Sequence, residues 1–576
     1  MSTTSNLTGN LRFGLIFTFL LIGWLSWLYL IEDNPEPLPP STSKSFINFF
    51  MQVYGLVYTT WIGRLYFNNE PVSDRASKPV RAGLFFHLVP MLCLLATNSK
   101  LETAKDSGLV LFSALITFRY WRTLVSWYFW TQYQITPSRG EGEDDFLPSD
   151  CTVIVPTVGP VENSVFDDMV KGILMNRPKC LIFSTNKEVA QIATRSRVEL
   201  VKNAMIQDRQ YPGDVTEIVY ENANFSNKRR QVVHGFNMVR TDILAMADDT
   251  AIWHPKFLQA TLPAFNDKDV GLVGTRKWVN RIADQNGSHF ARIWNMIGAL
   301  YLVRHNWEIR ASNTADGGVF CVSGRSSLIR SSIIQREDFA EAFTNEYAGE
   351  FVYTWLNSLA TYCGLFRSML TYLLNSQGLC PKGFGPLNAD DDNFVTRWVI
   401  NRGFNIKIQY SPEATMMTVL GQTKPKLKFL DQCRRWARTT FRQNPVALFI
   451  DCTLWSKWPL TVWTTYFPWM YNAALFWDSM SIWSFTKTGF YNGSSYYRLW
   501  LVLLILLILS TKLIKTYAWF QEHPEDRKYI PFIPVFSYFH SFVKTVAAVS
   551  WFDNSWSGRD LTKEPTMNQQ TVATED

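Results

Sequence analysis

Three places in this 576-residue chain gather side chains able to move charge or protons. The first is Ala247-Asp248-Asp249-Thr250, directly after the apolar run Ile243–Met246. A carboxylate pair at the C-terminal end of a parallel strand stands where open α/β sheets bind ligands. Hard oxygen donors there suit Mg²⁺ or Mn²⁺, ions that keep waters and bridge to a diphosphate. The same residues read equally as a turn or a helix N-cap. The second place is Asp390-Asp391-Asp392. Adjacent, partly buried carboxylates raise one another's pKa, which suits a general base. They also suit the acidic start of a helix over 394–401. The third is Gln432-Cys433-Arg434-Arg435-Trp436. On a helix, Gln432, Arg435 and Trp436 share one face. That face offers an amide, a guanidinium that can grip a diphosphate through paired N–H bonds, and an indole for a sugar ring.

Two further basic features carry alternatives. Seven cations lie between Lys424 and Arg442, so this segment could also rest on anionic lipid, at about 1 kcal/mol per cation. In Asn227-Lys228-Arg229-Arg230, Lys228 could meet a phosphate or a uracil, or the run could be a solvated basic face. Nucleic acid is not an expected partner, because the basic residues lie beside apolar segments without a reader motif.

The acidic pairs need a scaffold, and the chain predicts one over 150–445. Short β-rich runs (CTVIVPTV, CLIFSTN, VTEIVYE, ILAMADDT, VGLVGTR) alternate with polar, helix-capable segments. That alternation predicts a mostly parallel α/β sheet covered on both faces. Apolar, aromatic segments flank it. Residues 13–31 are long enough to span a bilayer; 46–67, 83–97 and 109–130 are weaker candidates. Downstream, 458–483 and 497–520 predict spans, and 530–551 predicts a re-entrant or interfacial piece because of Pro531 and Pro534. The acidic 32–44 loop and the basic 68–81 loop place the N-terminus and the central domain in the cytosol. The expected plan is therefore 1–130 membrane or interfacial helices, 150–445 catalytic domain, 446–556 further membrane and interfacial helices, and a polar tail 557–576.

Composition agrees with a soluble-type domain joined to membrane segments. The chain is 47% hydrophobic, 15% aromatic and 18% charged, with net charge +7. Mean hydropathy is only −0.06, too low for spans throughout. These values exclude collagen, a disulfide-rich scaffold and a disordered tail protein. The eight cysteines have neither CxxC nor zinc spacing and read as free thiols in a reducing compartment.

In chain order, VIVPT, NKRR, ADDT, CVSGR, ADDDNFVTRW and QCRRW resemble the processive membrane family-2 glycosyltransferases, which include cellulose, chitin and hyaluronan synthases. CVSGR at 321–325 and SWSGR at 555–559 are similar to hyaluronan synthase segments, and GPLNADDDNFVTRW to fungal polysaccharide synthases. The resemblance implies a GT-A-type (Rossmann-like) cytosolic domain inserted between transmembrane helices, in an integral protein of the plasma membrane. It implies inverting transfer from a UDP-sugar, with Mg²⁺ or Mn²⁺, to a growing β-linked polysaccharide that crosses the membrane. Pro156 and Thr157 would lie in the first nucleotide loop, with Lys228 and Cys321 near the UDP. Asp249, with Asp248, would bind the metal, and Asp392 would be the base. Gln432, Arg435 and Trp436 would hold the diphosphate and the acceptor sugar. Alternatives are a non-processive transferase acting on a lipid acceptor and an inactive membrane scaffold or transporter. Three departures stand out. Ala247 fills the first place of the usual Asp-x-Asp, and Ser184-Thr185-Asn186 stands where many relatives carry an acidic uridine contact. Residues 351–380 read as an apolar insertion, either a membrane-facing hairpin or retained intron sequence. The sugar and the oligomeric state are not encoded legibly.

Overall fold

Uninterrupted apolar runs become the interior of a sheet. The computed structural model describes residues 107–138, 145–161, 163–281, 288–350, 383–421 and 428–554. The segments 13–31, 46–67 and 83–97, the 351–380 insertion, Lys424, Lys426, the SWSGR motif and the 560–576 tail lie outside the described residues. The described chain divides into two compact units, one of residues up to 121 with 476–511 and one of 122–475 with 512 onward.

The larger unit holds strands β1 (Cys151–Thr157), β2 (Cys180–Thr185), β3 (Glu217–Asn222), β4 (Ile243–Ala247), β5 (Ile252–Trp253), β6 (Val270–Val279), β7 (Ser326–Arg330), β8 (Ala348–Gly349), β9 (Gly383–Phe384), β10 (Asn405–Gln409) and β11 (Thr415–Thr418). The main sheet runs β3-β2-β1-β4-β7-β6-β11-β5, with β10 also paired to β6. β1, β2 and β4 are buried along their whole length, as strands covered on both faces must be. The five expected strands all form. β7, β10 and β11 are additional, and β7 makes the sheet mixed, since it runs antiparallel to both β4 and β6.

Helices α1 (Phe166–Met175), α2 (Glu188–Gln207) and α3 (Lys228–Phe236) connect the first four strands. α1 buries Phe166, Met169, Val170 and Ile173, a helical stripe, into a core shared with Val153, Phe183 and Ala245. The long α4 (His289–Asp316) ends at Gly317, whose φ of 81° is a left-handed conformation that a side chain would strain. α5 (Asp391–Asn401) starts three residues earlier than expected, and α6 (Lys428–Pro445) carries the Gln432–Trp436 segment. α7 (Phe532–Val549) packs on α4 and α6 through Trp294, Phe429 and Phe536.

The C-terminal apolar segments differ from expectation. No single helix covers 458–483. Helix Thr453–Lys457 ends before Trp458; a second helical run covers 459–471, with a π-helical middle at Val462–Tyr466, and Ala474–Phe485 follows a break at Asn472. Pro459, which lacks an N–H, opens the second run. Helix Tyr497–Thr511 has 15 residues, fewer than the ~20 a span needs. The segment expected to be broken by prolines is instead the continuous α7. Pro534 sits in its first turn, where no N–H is required. Among the described residues α7 is the one helix long and apolar enough to cross a membrane. In the smaller unit, Leu111, Leu115 and Trp477 pack together beside an Arg119–Asp478 ion pair of 3.3 Å.

A buried ion pair ties α5 to α6. Arg442 Nε donates to Asp390 Oδ2 at 2.7 Å and Nη2 to Oδ1 at 3.0 Å, each side chain being 1% exposed. Arg442 Nη1 also donates to the carbonyls of Trp551 (2.9 Å) and Asp553 (3.0 Å). A second hub centres on Glu346, which accepts from Arg229, Arg397 and Gln443. Arg442→Met leaves a dehydrated carboxylate without its cation, so it is expected to destabilise the larger unit by about 3–5 kcal/mol in denaturant titrations. A loss below about 1 kcal/mol would mean the pair is idle.

Candidate active site

The strand order reverses between β1 and β4, and their C-terminal ends open a crevice of the kind that binds ligands in α/β sheets. Pro156 and Thr157 finish β1. Pro156 lies past the last β1–β4 pairing, Ile154 with Met246, so its missing N–H costs no ladder bond there. Thr157 Oγ1 donates to Asp249 Oδ2 at 2.9 Å and accepts from the Gly159 N–H. Asn163 donates to the Asp249 carbonyl at 2.6 Å. The buried Gln231 amide of α3 donates to the carbonyls of Thr157 (3.0 Å) and Ser184 (3.1 Å), fixing the ends of β1 and β2 together.

β7 supplies the opposite wall. Its antiparallel register sets Ser326 against Ala247, so the chain just before it meets the chain just after β4. The Asp248 N–H accordingly donates to the Arg325 carbonyl at 2.9 Å. Lys228, the first residue of α3, reaches into the gap. Its ammonium lies 2.8 Å from Asp248 Oδ1, 2.9 Å from Asp391 Oδ2 and 3.4 Å from the Gly324 carbonyl. Gly324 has no side chain for a physical reason. A Cβ there would stand 3.1 Å from Asp391 Oδ2 and 3.3 Å from Lys228 Nζ. The crevice is lined by Pro156, Lys228, Ala247, Gly324, Asp391 and Asp392.

The three adjacent carboxylates separate by partner. Asp390 occupies the N-cap position of α5 with φ 65°, and it accepts from Thr439 as well as from Arg442. Burial would raise its pKa, but the Arg442 guanidinium holds it below the ordinary range. Asp391 is likewise buried and held low by Lys228. Burial alone would lower the Lys228 pKa; Asp248 and Asp391 more than reverse it. Asp392 accepts from the Gly324 N–H at 3.3 Å and from the Asn393 N–H at 3.0 Å. Burial and then the neighbouring Asp391 charge push its pKa up. Cys321 is buried with its thiol hydrogen-bonded to Asp392; burial and that carboxylate raise the thiol's pKa. Beneath them Lys277 is wholly buried, donates to the Thr275 carbonyl at 2.9 Å, and is lowered to about 8 by desolvation.

α6 closes the site. Trp436 packs on Tyr301 with ring centroids 5.0 Å apart, and the Arg325 guanidinium lies 5.1 Å from the Trp436 ring centre. Arg435 is half-buried and adds positive potential at Asp391 and Arg325. Gln432 is half-buried one turn earlier on the same helix.

Of the expected residues, Pro156, Lys228 and Asp392 line the crevice; Asp248 pairs with Lys228, Cys321 bonds to Asp392, Thr157 holds Asp249, and Trp436 meets Arg325. The lipid reading of the basic segment is corrected for two of its cations. Arg438 pairs with Asp553 at 2.7 Å and Arg442 with Asp390, both arginines buried, whereas Arg434 is exposed beside Asp431. The solvated-face reading of 227–230 fails for Arg229, which is 1% exposed and bonded to Glu346 and to the Phe343 and Ala389 carbonyls. Sequence reading missed Gln231, Lys277, Gly324 and Arg325 as site residues. Gly324 and Arg325 had a signal, since they belong to the CVSGR run.

The donor chemistry fits a hard divalent ion. Asp248 and Asp249 present carboxylate oxygens, and Mg²⁺ or Mn²⁺ takes one or two such groups with water and phosphate completing the shell. Among the described residues no group of three or more His, Cys, Asp and Glu side chains gathers to hold a metal, so Asp248 and Asp249 are the donors on offer.

A family model described as "Glycosyltransferase like family 2" matches residues 148–439, just over half of the chain. A "Type 2 glycosyltransferase" of Gibberella zeae is 29% identical over 461 residues, covering 78% of this chain and 76% of the relative. Its namesake in Pyricularia oryzae is 29% identical over 466 residues, covering 78% and 81%. Among solved structures, a mannosyltransferase from Pyrobaculum calidifontis in complex with GDP-Man and Mn²⁺ is similar at TM-score 0.37 and 12% identity, covering 76% of this chain and 99% of that one. The matched span contains the whole crevice from Pro156 to Trp436, and the chain belongs to glycosyltransferase family 2, as an enzyme that uses a nucleotide sugar on a GT-A-like mixed sheet.

Proposed function

We propose that the protein is a membrane-embedded, inverting synthase that draws on a UDP-sugar and extends a β-linked polysaccharide, passing the chain outward as it grows. The observation that carries this reading is the meeting of Asp248, Lys228, Asp391, Asp392, Arg325 and the Trp436 helix at one crevice. Asp392 is the acceptor's base. One of its oxygens takes the hydroxyl proton, and the acceptor oxygen attacks the anomeric carbon as the bond to UDP breaks. The raised pKa of Asp392 gives it the basicity that Asp390 and Asp391 lack. Asp248 and Asp249 would hold Mg²⁺ or Mn²⁺, whose charge offsets that of the departing diphosphate. Arg435 and Lys228 add fixed positive charge on the same side. Trp436 offers its ring face to the acceptor sugar. Pro156, Thr157 and Cys321 shape the nucleotide side, and Gln432 extends the acceptor side.

Two observations favour a polymer and a bilayer. An aromatic path leads from Trp436 through Tyr301 (5.0 Å) to His540 (5.9 Å), and His305, Phe320 and Trp469 stack nearby at 5.1 and 4.1 Å. Among the described residues His305 Nε2 and His540 Nε2 are buried without a hydrogen-bond partner, as groups awaiting sugar hydroxyls would be. α7 exposes Phe532, Val535, Phe539, Phe542 and Val546, and helix Tyr497–Thr511 exposes Leu499, Val502, Leu503, Leu506 and Leu507. Such faces suit hydrocarbon. The reading places the protein in the plasma membrane with its crevice toward the cytosol.

Membranes given single and paired radiolabelled UDP-sugars are expected to make a product of high molar mass that a β-specific hydrolase degrades. A product carrying one sugar on lipid would replace polymerisation by single transfer. Asp392→Asn should abolish transfer, by at least about a thousandfold, while UDP binding measured calorimetrically persists; normal turnover would remove Asp392 as the base. The acid limb of kcat/KM should lie above the ordinary Asp pKa of about 4, because Asp392 must lose its proton to act. Asp391→Asn removes a like charge, lowers the Asp392 pKa and moves that limb to lower pH. A limb that stays put or rises would show that another group titrates.

A further inference from the structure

Arg325 has a geometry that the roles above leave unused. The Asp248 N–H holds its carbonyl at 2.9 Å, so its side chain starts level with the paired carboxylates. Its guanidinium then crosses to the Trp436 ring, 5.1 Å from the centre. A cation–π contact with an indole restrains the guanidinium in advance and lowers the entropy lost when it binds an oxyanion. Among the described residues the guanidinium has this ring contact and neighbouring charges, but no hydrogen bond and no ion pair. Its five N–H donors are therefore available to a ligand. The charges of Asp248, Asp392 and Arg435 all act on it, and the Arg435 cation opposes its own. An anion with several oxygens, such as a diphosphate, can offset both guanidinium charges. The ring contact also sets its place, beside Trp436 and next to Gly324, whose N–H donates to Asp392.

We propose that Arg325 binds the sugar-proximal phosphate of the donor, gripping the leaving diphosphate from the loop before β7 while Arg435 grips it from α6. This rests on the synthase reading above and adds a residue to it. Burial and Arg435 disfavour the charged guanidinium, and a bound dianion would reverse that balance.

The test is calorimetric titration of the purified full chain, in Mg²⁺, with UDP, UMP and inorganic pyrophosphate. Arg325→Gln is expected to weaken UDP and pyrophosphate by at least about tenfold and UMP by less than about twofold. Arg325→Lys keeps the charge but not the planar fork, and about a threefold loss for UDP alone is expected. Unchanged UDP binding in Arg325→Gln, or equal losses for UDP and UMP, would overturn the proposal. Should Arg325→Gln fail to fold by thermal melting, an unchanged UDP-to-UMP ratio in Arg325→Lys overturns it instead. Wild-type protein that binds pyrophosphate but not UDP would displace the UDP-sugar reading, while the pyrophosphate arm still decides the role of Arg325.

Discussion

Arg442 and Asp390 exchange two hydrogen bonds with both side chains almost wholly removed from water. The rest of the site takes its spacing from that contact. Dehydrating two charges is costly, and such pairs hold only when further hydrogen bonds complete both partners. Thr439 completes the carboxylate; the Trp551 and Asp553 carbonyls complete the guanidinium. Arg435 and Trp436 lie about two turns upstream on α6, roughly 10 Å along the helix axis. Asp391 and Asp392 follow Asp390 directly on α5. One pair therefore sets the distance between Trp436 and Asp392.

The same logic explains how three consecutive aspartates coexist. Left alone they would repel and share protons. Instead Arg442 neutralises the first and Lys228 the second, while among the described residues the third has no ion pair. The repulsion is thereby concentrated on Asp392, the one carboxylate whose function gains from it. Gly324 makes this possible, since its bare Cα lets the 321–325 loop approach α3 and α5 closely enough for its N–H and carbonyl to meet Asp392 and Lys228.

Much of this was legible in the residues. Continuous apolar runs marked the buried strands, and the carboxylates directly after Ala247 marked the C-terminal end of β4. The resemblance carried by Asp392 and Gln432–Trp436 pointed to one crevice; Asp392 lines it, and Trp436 meets the Arg325 guanidinium beside it. What escaped depends on partners remote in sequence. β7 reads Ser-Ser-Leu-Ile-Arg, too short and polar to announce a strand, yet its reversed direction delivers Gly324 and Arg325. Arg229 and Arg442 look like surface cations until Glu346 and Asp390 arrive from far along the chain. Hydropathy over 458–483 suggested one span because it averages across the break at Asn472, which divides the segment.

α7 runs into the residues that Arg442 holds. Its C-terminus leads within four residues to Asp553, whose carbonyl, with that of Trp551, binds the same guanidinium that binds Asp390. A rotation or axial slide of α7 therefore loosens the acidic triplet before it disturbs any strand. The last turn of this helix and the acidic triplet thus share one fulcrum, the Arg442 guanidinium.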